Sequence, residues 1–231
     1  MAKPWMIDEL ALAGREHLDP ACVAGYDRKS GTDPSADLRV LRRHGLNETS
    51  TLVDLGAGTG RLALAAARHC RRVVAVDISP AMLGFLREQA AGAGLRNVEC
   101  VQAGFLTYEH DGPPADLVYT RDALHHLPDF WKAMALHRIS GILRPQGVLV
   151  LRDPIYDFQP SEADEKLSEW LDGAVDDPAE GYTREEFAHN VRSEHSTFRW
   201  LFEPMLAAAG FRIVEVDFPR AVYGSYTCVK R

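Results

Sequence analysis

The residues best suited to chemistry follow an early apolar run of the chain, in the stretch VDLGAGTG at positions 53–60. Glycines at alternate positions let a backbone approach a ligand more closely than other residues allow. Asp54 stands just before them, and an acid inside an apolar run needs a cationic or hydrogen-bonding partner. Asp77 ends the next apolar run, 23 residues after Asp54, where a carboxylate can accept hydrogen bonds from the hydroxyls of a sugar. Together these residues favour a ligand with both an amino group and a sugar.

The spacing of the glycines differs from that of a dinucleotide site. The fingerprint G-x-G-x-x-G, counted from Gly56, needs a glycine at position 61, where this chain has Arg61. The third glycine comes one residue early, at Gly60. A glycine turn alone is also a common packing feature, so the interpretation depends on the elements around it.

Short β-branched runs alternate with longer amphipathic segments, which predicts an α/β fold. The predicted strands are STLVDLG, RRVVAVDIS, NVECVQAGF, ADLVYTRDAL and GVLVLRD. The predicted helices are GRLALAAARHC, SPAMLGFLREQAAGAGL, with Ser79 as N-cap and Pro80 in its first position, and DFWKAMALHRISGIL. Such alternation indicates right-handed crossovers and a mostly parallel sheet, whose ligands bind at the carboxyl ends of the strands. The glycine turn lies at that edge.

The end of the chain predicts one more helix and two closing strands. These are FRWLFEPMLAAAGF, ended by Gly210, then RIVEVDF and YGSYTCVKR. We divide the chain into a helical N-terminal cap (1–48, with a polar break at YDRKSGTDPSAD), a cofactor-binding core (49–152), a helical insertion or substrate lid (153–203) and a closing helix with β-hairpin (204–231).

The motifs resemble those of one enzyme family. VDLGAGTG followed by VVAVDIS is similar to the first two motifs of the class I S-adenosylmethionine-dependent methyltransferases, and DLVYTRDALHHLPD and ILRPQGVLVLRD are similar to the fourth and fifth. The resemblance covers residues 50–152 well and the closing strands more loosely. It implies a Rossmann-like, seven-stranded, mostly parallel sheet with helices on both faces and an antiparallel last strand. It also implies S-adenosylmethionine as the cofactor.

The resemblance assigns roles to residues of the cofactor site. The three glycines would pass close to the methionine part of the cofactor, Asp54 would orient its ammonium group, and Asp77 would hold the ribose hydroxyls. Many members have an Asp after the third strand that bonds the adenine amino group, but this sequence has Gly104 there, so that contact must come from the backbone near Phe105 or from elsewhere. The other residues expected at the cofactor are Gly56, Gly58, Gly60, Ile78, Met82, Arg121 and Tyr26.

One histidine is the candidate general base. YTRDALHH resembles the corresponding segment of phosphoethanolamine and small-amine methyltransferases, which set a His four residues after an Asp, as Asp122 and His126 are here. The alternative is that neither is catalytic: neighbours on a helix point about 100° apart, so that one of His125 and His126 packs and the other faces solvent or the site.

The substrate side is expected where the chain leaves the fifth strand. Asp153, Tyr156 and Asp157 are the substrate candidates, with a structural hinge as the alternative. The acidic segment that follows is a solvated helical face, a lid or a homodimer contact, to which Trp170 and Tyr182 would contribute.

Composition narrows the function further. The formal net charge is -7, which disfavours nucleic acid as a partner. The four cysteines are scattered and no metal-ligand spacing is present, so no metal is expected. No signal peptide and no run of about 18 apolar residues is found, which predicts a cytoplasmic protein without membrane contact. The sequence thus predicts methyl transfer to an O, N or C atom of a small molecule; the alternatives are an RNA-modifying enzyme and a non-catalytic, cofactor-binding partner subunit.

Overall fold

The computed structural model of the chain describes residues 3–31 and 33–231. The strands are β1 Thr51–Leu55, β2 Arg72–Asp77, β3 Val98–Gln102, β4 Ala115–Arg121, β5 Leu143–Tyr156, β6 Thr197–Phe198, β7 Phe211–Arg220 and β8 Tyr223–Lys230. The helices are α1 Arg15–Leu18, α2 Pro20–Ser30, α3 Ser35–Arg43, α4 Arg61–Ala66, α5 Pro80–Gly92, α6 Asp129–Ile142, α7 Ala163–Leu171, α8 Arg184–Ser193 and α9 Arg199–Ala208. Short 3-10 turns cover Leu10–Leu12, Leu124–His126 and Pro160–Glu162.

The strands form one mixed sheet in the order β3-β2-β1-β4-β5-β8-β7. β1 to β5 pair in parallel, and β8 runs antiparallel to both of its neighbours. This confirms the predicted fold class, including the antiparallel last strand. The difference is β6, a two-residue strand that pairs in parallel with the end of β5 through Ile155 and Thr197.

Both faces of the sheet are covered by helices, as predicted. On one face, Val53 and Val118 belong to a core that includes Leu136 of α6 and Phe202 of α9. On the other face, apolar side chains of β1, β2 and β4 pack with Leu41 of α3 and with residues of α4 and α5. Every residue of β1 is buried, which explains why its sequence shows a continuous apolar run rather than an alternation.

Helix starts follow their capping residues. The Ser79 hydroxyl accepts a hydrogen bond from Met82 N at 3.1 Å and Pro80 is the first residue of α5, which confirms the predicted N-terminus. Asp19 and Pro20 start α2 in the same way, and α2 continues to Ser30. The predicted polar break at 26–37 was therefore wrong for residues 26–30 and 35–37, which are helical in α2 and α3; Gly31, with a φ of +57°, ends α2, and position 32 lies outside the described residues.

The segment after β5 has an apolar core of its own. It contains Tyr156, Phe158, Trp170 and Val222, with Phe187 packed against it. β5 continues three residues past the expected boundary at 153, and α9 begins before the boundary at 204. No helix within residues 3–31 and 33–231 is both long and apolar enough to cross a membrane.

Candidate functional site

A cleft of about 1140 Å³, its open mouth included, lies at the carboxyl ends of β1, β2 and β4. The glycine turn after β1 forms its floor, and the Leu10–Leu12 turn and α2 contribute from the N-terminal segment. Of the residues predicted for cofactor and catalysis, it is lined by Tyr26, Asp54, Gly56, Gly58, Asp77, Ile78, Met82, Gly104, Phe105, Arg121 and His126. Gly60 is not among the lining residues.

The three glycines of the turn meet different surroundings, although all have positive φ. A Cβ at Gly56 would lie 2.4 Å from Ala123 Cβ, and one at Gly60 would lie 2.4 Å from Leu86 Cγ, so these two glycines allow close packing within the chain. A Cβ at Gly58 would meet nothing within 4 Å. Gly58 is therefore the glycine that leaves room for a ligand.

Asp77 is fixed at the end of β2 by backbone donors. Gly58 N donates to its Oδ2 at 2.7 Å, and Ser79 N donates to its Oδ1 at 2.8 Å. Burial raises the pKa of this carboxyl, and the backbone N–H groups of Ser79, Gly58 and Ile78 act against that rise. Since a carboxylate has about four acceptor positions, these three donors leave one for a hydroxyl of a ligand.

Asp54 is a buried acid below the cleft floor. Burial, followed by the charge of Asp77, raises its pKa to about 8. No ion pair to Asp54 occurs among the residues that the structure describes. A ligand that brings a cationic amino group would supply the missing charge.

Besides Tyr26, which the resemblance predicted at the cofactor, the N-terminal segment contacts the cleft through further residues. The Thr59 hydroxyl donates to the Asp27 carboxylate, and Arg61 Nη1 donates to Asp27 O at 3.2 Å, which ties α2 to the glycine turn. Glu9 and His17 also line the cleft. These contacts join positions far apart in the chain, so no local pattern could have revealed them.

A second pocket adjoins the first under the segment after β5. The two pockets share His17, Tyr26, Ser30, Arg121, Asp122 and His126. Trp170, Tyr182 and Glu194 line the second pocket from the lid side. Tyr26 and Tyr182 both line this second pocket, one from α2 and the other from the segment after β5.

His125 is held between two carboxylates. Its Nδ1 lies 2.7 Å from Asp153 Oδ1, and its Nε2 lies 3.3 Å from Glu194 Oε2. Burial alone would lower the pKa of His125, but Asp153 and Glu194 outweigh it and raise that pKa to about 9. His125 is therefore an imidazolium at neutral pH, with both ring N–H groups directed at carboxylates.

His126, next to it on the 3-10 turn, has the opposite character. Burial and the neighbouring rings of His125 and His17 hold the pKa of His126 well below its usual value of 6.5. The centroids of the His126 and His17 rings lie 5.5 Å apart, and those of His126 and His125 lie 4.3 Å apart. His126 is therefore uncharged at neutral pH and faces both pockets.

Among the described residues, one group has the composition of a metal site. Ligand atoms of His125, His126 and Glu194 lie within 4.8 Å of one another. Each nitrogen of His125 already has a carboxylate partner, so a metal ion would have to displace a proton held in an ion pair. The ion pairs account for this arrangement without a metal.

The three substrate candidates are placed differently from one another. Asp153 is buried and contacts His125. Tyr156 lies in the lid core and stacks on Phe158. Asp157 pairs with Arg199 at 3.3 Å. None of the three lines either pocket.

One crevice of the open α/β sheet thus holds a glycine turn, an acid at the end of β2 and a buried acid below the turn, at the edge where sheets of the Rossmann-like class bind their ligands. Residues 52–147 match the model of the methyltransferase domain family. Human N-terminal Xaa-Pro-Lys N-methyltransferase 1 is 32% identical over 141 residues, which cover 57% of this chain and 61% of that protein. With several curated relatives the match spans only 39–61% of the relative's length.

Solved structures share the fold. A SAM-dependent methyltransferase from Aquifex aeolicus superposes with a TM-score of 0.62 at 19% identity, over 93% of this chain and all of that one. Magnesium protoporphyrin IX methyltransferase from Synechocystis, solved with bound SAM, gives 0.65 at 14% identity over 99% and 100% of the two chains. Residues 52–147 thus match a methyltransferase domain, and the chain has the fold of solved S-adenosylmethionine-dependent methyltransferases. The cleft fits that cofactor, since it has open space at Gly58 and since Asp54, which has a backbone hydrogen bond from Ala63, lacks an ion pair within the described residues.

Proposed function

We propose that the protein transfers a methyl group from S-adenosylmethionine to a small-molecule acceptor bound in the second pocket. The observation that carries this proposal is the shared boundary of the two pockets, where His126 and Tyr26 face both. A donor held in one pocket and an acceptor held in the other would meet there. Holding two reactants in contact supplies much of the acceleration in a displacement reaction.

The chain's residues would hold the cofactor as the resemblance implies. Asp77 binds the ribose hydroxyls, Gly58 makes room for the methionine part, and Asp54 receives the ammonium group. Ile78 and Met82 pack against the base. When bound, the cofactor supplies a methyl group activated by the sulfonium, which is transferred by in-line displacement.

His126 is the group we assign to proton transfer. An uncharged imidazole at the boundary of the pockets can accept the proton that an acceptor hydroxyl or amine loses on methylation. Asp153 acts indirectly, because it fixes His125, whose positive charge keeps the neighbouring His126 unprotonated. The substrate role expected of Asp153 thus becomes a positioning role.

The acceptor is enclosed by the two segments outside the core. Tyr26 belongs to the N-terminal segment, and Trp170, Tyr182 and Glu194 belong to the segment after β5. The second pocket combines aromatic walls with acids and with the guanidinium groups of Arg121 and Arg152. A small polar acceptor with an aromatic or amine part suits such a lining.

The experiment is a screen for S-adenosylhomocysteine formation with phenols, amines and carboxylic acids as acceptors. With an accepted compound, we expect His126→Asn to lower kcat by a factor of about 100 or more and to leave cofactor affinity unchanged. His137→Asn is the matched control, because His137 is exposed. Cofactor binding without turnover of any acceptor would favour the non-catalytic subunit. Turnover of RNA alone would favour the RNA-modifying alternative.

A further inference from the structure

Glu9 reaches the cleft from the N-terminal segment and lies against the loop after β3. Its Cδ, Oε1 and Oε2 atoms are each 2.4 Å from the place that a Cβ at Gly104 would occupy. The φ of Gly104 is not positive, so its backbone would accept any residue. A glycine at position 104 is therefore required for space, and Glu9 takes that space.

The Glu9 carboxylate is anchored, but its acceptor capacity is not used up. Leu106 N and Thr107 Oγ1 donate to Oε2 at 3.1 and 3.4 Å, and the N–H of Phe105 also acts on the carboxylate. A carboxylate has about four acceptor positions, and these three donors occupy three of them, so one acceptor position of Glu9 stays free. Glu9 is only 9% exposed, and it lines the cleft.

The surroundings of this acceptor suit the base of a nucleoside. The same cleft is lined by the apolar side chains of Ile78, Met82 and Phe105, and Asp77 stands at the end of β2 next to Ile78. A buried carboxylate with a free acceptor position favours an N–H donor and rejects a carbonyl oxygen, since two acceptors facing each other repel. Adenine offers an exocyclic amino group, whereas hypoxanthine has a carbonyl oxygen in its place.

We propose that Glu9 accepts a hydrogen bond from the adenine amino group of the cofactor and makes the site selective for adenine. A side chain from the N-terminal segment thus supplies a contact that no residue at position 104 can make here. This inference rests on the proposed function for the identity of the ligand. It adds that Glu9 of the N-terminal segment contributes to cofactor recognition.

The test compares the binding of S-adenosylhomocysteine and S-inosylhomocysteine by calorimetry. The wild-type chain is expected to prefer the adenine compound at least tenfold. Glu9→Gln should lose most of that preference, because a glutamine amide can donate to the inosine oxygen. Glu109→Gln, an exposed carboxylate in the same loop, is the matched control and should keep it.

A second set of variants separates this role from a structural one. Gly104→Asp alone should bind S-adenosylhomocysteine poorly, because its side chain overlaps Glu9. Combined with Glu9→Ala, the same aspartate should regain the preference for adenine. An unchanged preference in Glu9→Gln, with melting temperature also unchanged, would overturn the inference and leave the proposed function standing. No binding of either compound to the wild-type chain would overturn both.

Discussion

Single residues of the glycine turn have separable roles. Gly56 and Gly60 allow the turn to pack against Ala123 and Leu86, whereas Gly58 borders open space in the cleft. A substitution at Gly56 or Gly60 therefore disturbs the fold, and only Gly58 offers a clean probe of the ligand. Its φ of +53° adds a backbone cost to any substitution.

Gly58→Ala should lower the free energy of unfolding by about 1–2 kcal/mol, because alanine is disfavoured in the left-handed backbone conformation. The variant should also bind S-adenosylhomocysteine at least tenfold more weakly. Gly94→Ala is the matched control: φ is +68°, and its Cβ also meets nothing within 4 Å. Gly94 lies after α5, outside both pockets. Denaturation and calorimetry of both variants check this. Equal losses of affinity would show that the effect comes from backbone strain and not from the cleft.

Asp54 should make the unliganded chain less stable as pH rises. Its pKa is about 8 in the folded chain and about 3.8 when unperturbed, so the folded state retains a proton that the unfolded state loses. Stability is therefore lost between about pH 4 and pH 8. Asp54→Asn should remove that loss, so that its melting temperature exceeds that of the wild type by more at pH 8 than at pH 5, while S-adenosylmethionine binds more weakly.

The control for this measurement is Asp111→Asn, which changes an exposed acid. A difference in melting temperature between Asp54→Asn and wild type that stays constant from pH 5 to pH 8 would contradict the account of Asp54.

Among the helices, α2 of the N-terminal segment and α8 of the segment after β5 are joined by an ion pair. Lys29 on α2 donates to Glu186 on α8, and the Lys29 ammonium lies 4.9 Å from the centroid of the Tyr182 ring. Glu186 also accepts from Thr183 N at 2.8 Å in a capping box at the start of α8. One residue thus starts the lid helix and links it to the N-terminal segment.

Glu186→Gln should keep the capping box and lose the ion pair. We expect S-adenosylhomocysteine to dissociate several-fold faster, because the partly exposed pair contributes about 1 kcal/mol or less. Stopped-flow fluorescence measures the rate. Glu185→Gln, which removes an exposed pair with Arg192 on the same helix, should leave it unchanged. Identical rates in the two variants would mean that α8 does not restrain the ligand.

The elements could be predicted to the extent that their signals are local. Ser79 and Pro80 identified the start of α5, and the alternating apolar runs identified the strands of the core. Asp19 followed by Pro20 was an equally good signal for α2, but the polar residues after it suggested a break. The length of β5 was missed because its last residues are held by β8 and β6, which lie far away in the sequence.

The site could be predicted only where motif residues form it. Gly58 and Asp77 lie in the cleft as expected, but their binding roles stay predictions. Glu9 and Glu194 could not be predicted, because only tertiary packing places them at the site. Packing brings Glu9 beside Gly104 and Glu194 beside His125. Both come from the segments outside the core, whose sequences carry no motif.

For the molecule as a whole, the net charge of -7 disfavours nucleic acid as a partner, and the burial of Trp170 bears on the expected homodimer. Trp170, which suggested a dimer contact, is 7% exposed and packs against Phe187 and Tyr223. Tyr182 lines the second pocket. Trp170 and Tyr182 therefore serve the chain's own core and the second pocket, and these two residues no longer support a dimer through this segment, whereas Trp200 is 52% exposed.

Calorimetric titration of the unmodified chain with S-adenosylmethionine, S-adenosylhomocysteine and NADH distinguishes the two kinds of cofactor. We predict micromolar binding of the first two and none of NADH, because the cleft has an acid for an ammonium group and lacks the glycine spacing of a pyrophosphate site. Binding of NADH alone, or of none of the three, would contradict this prediction.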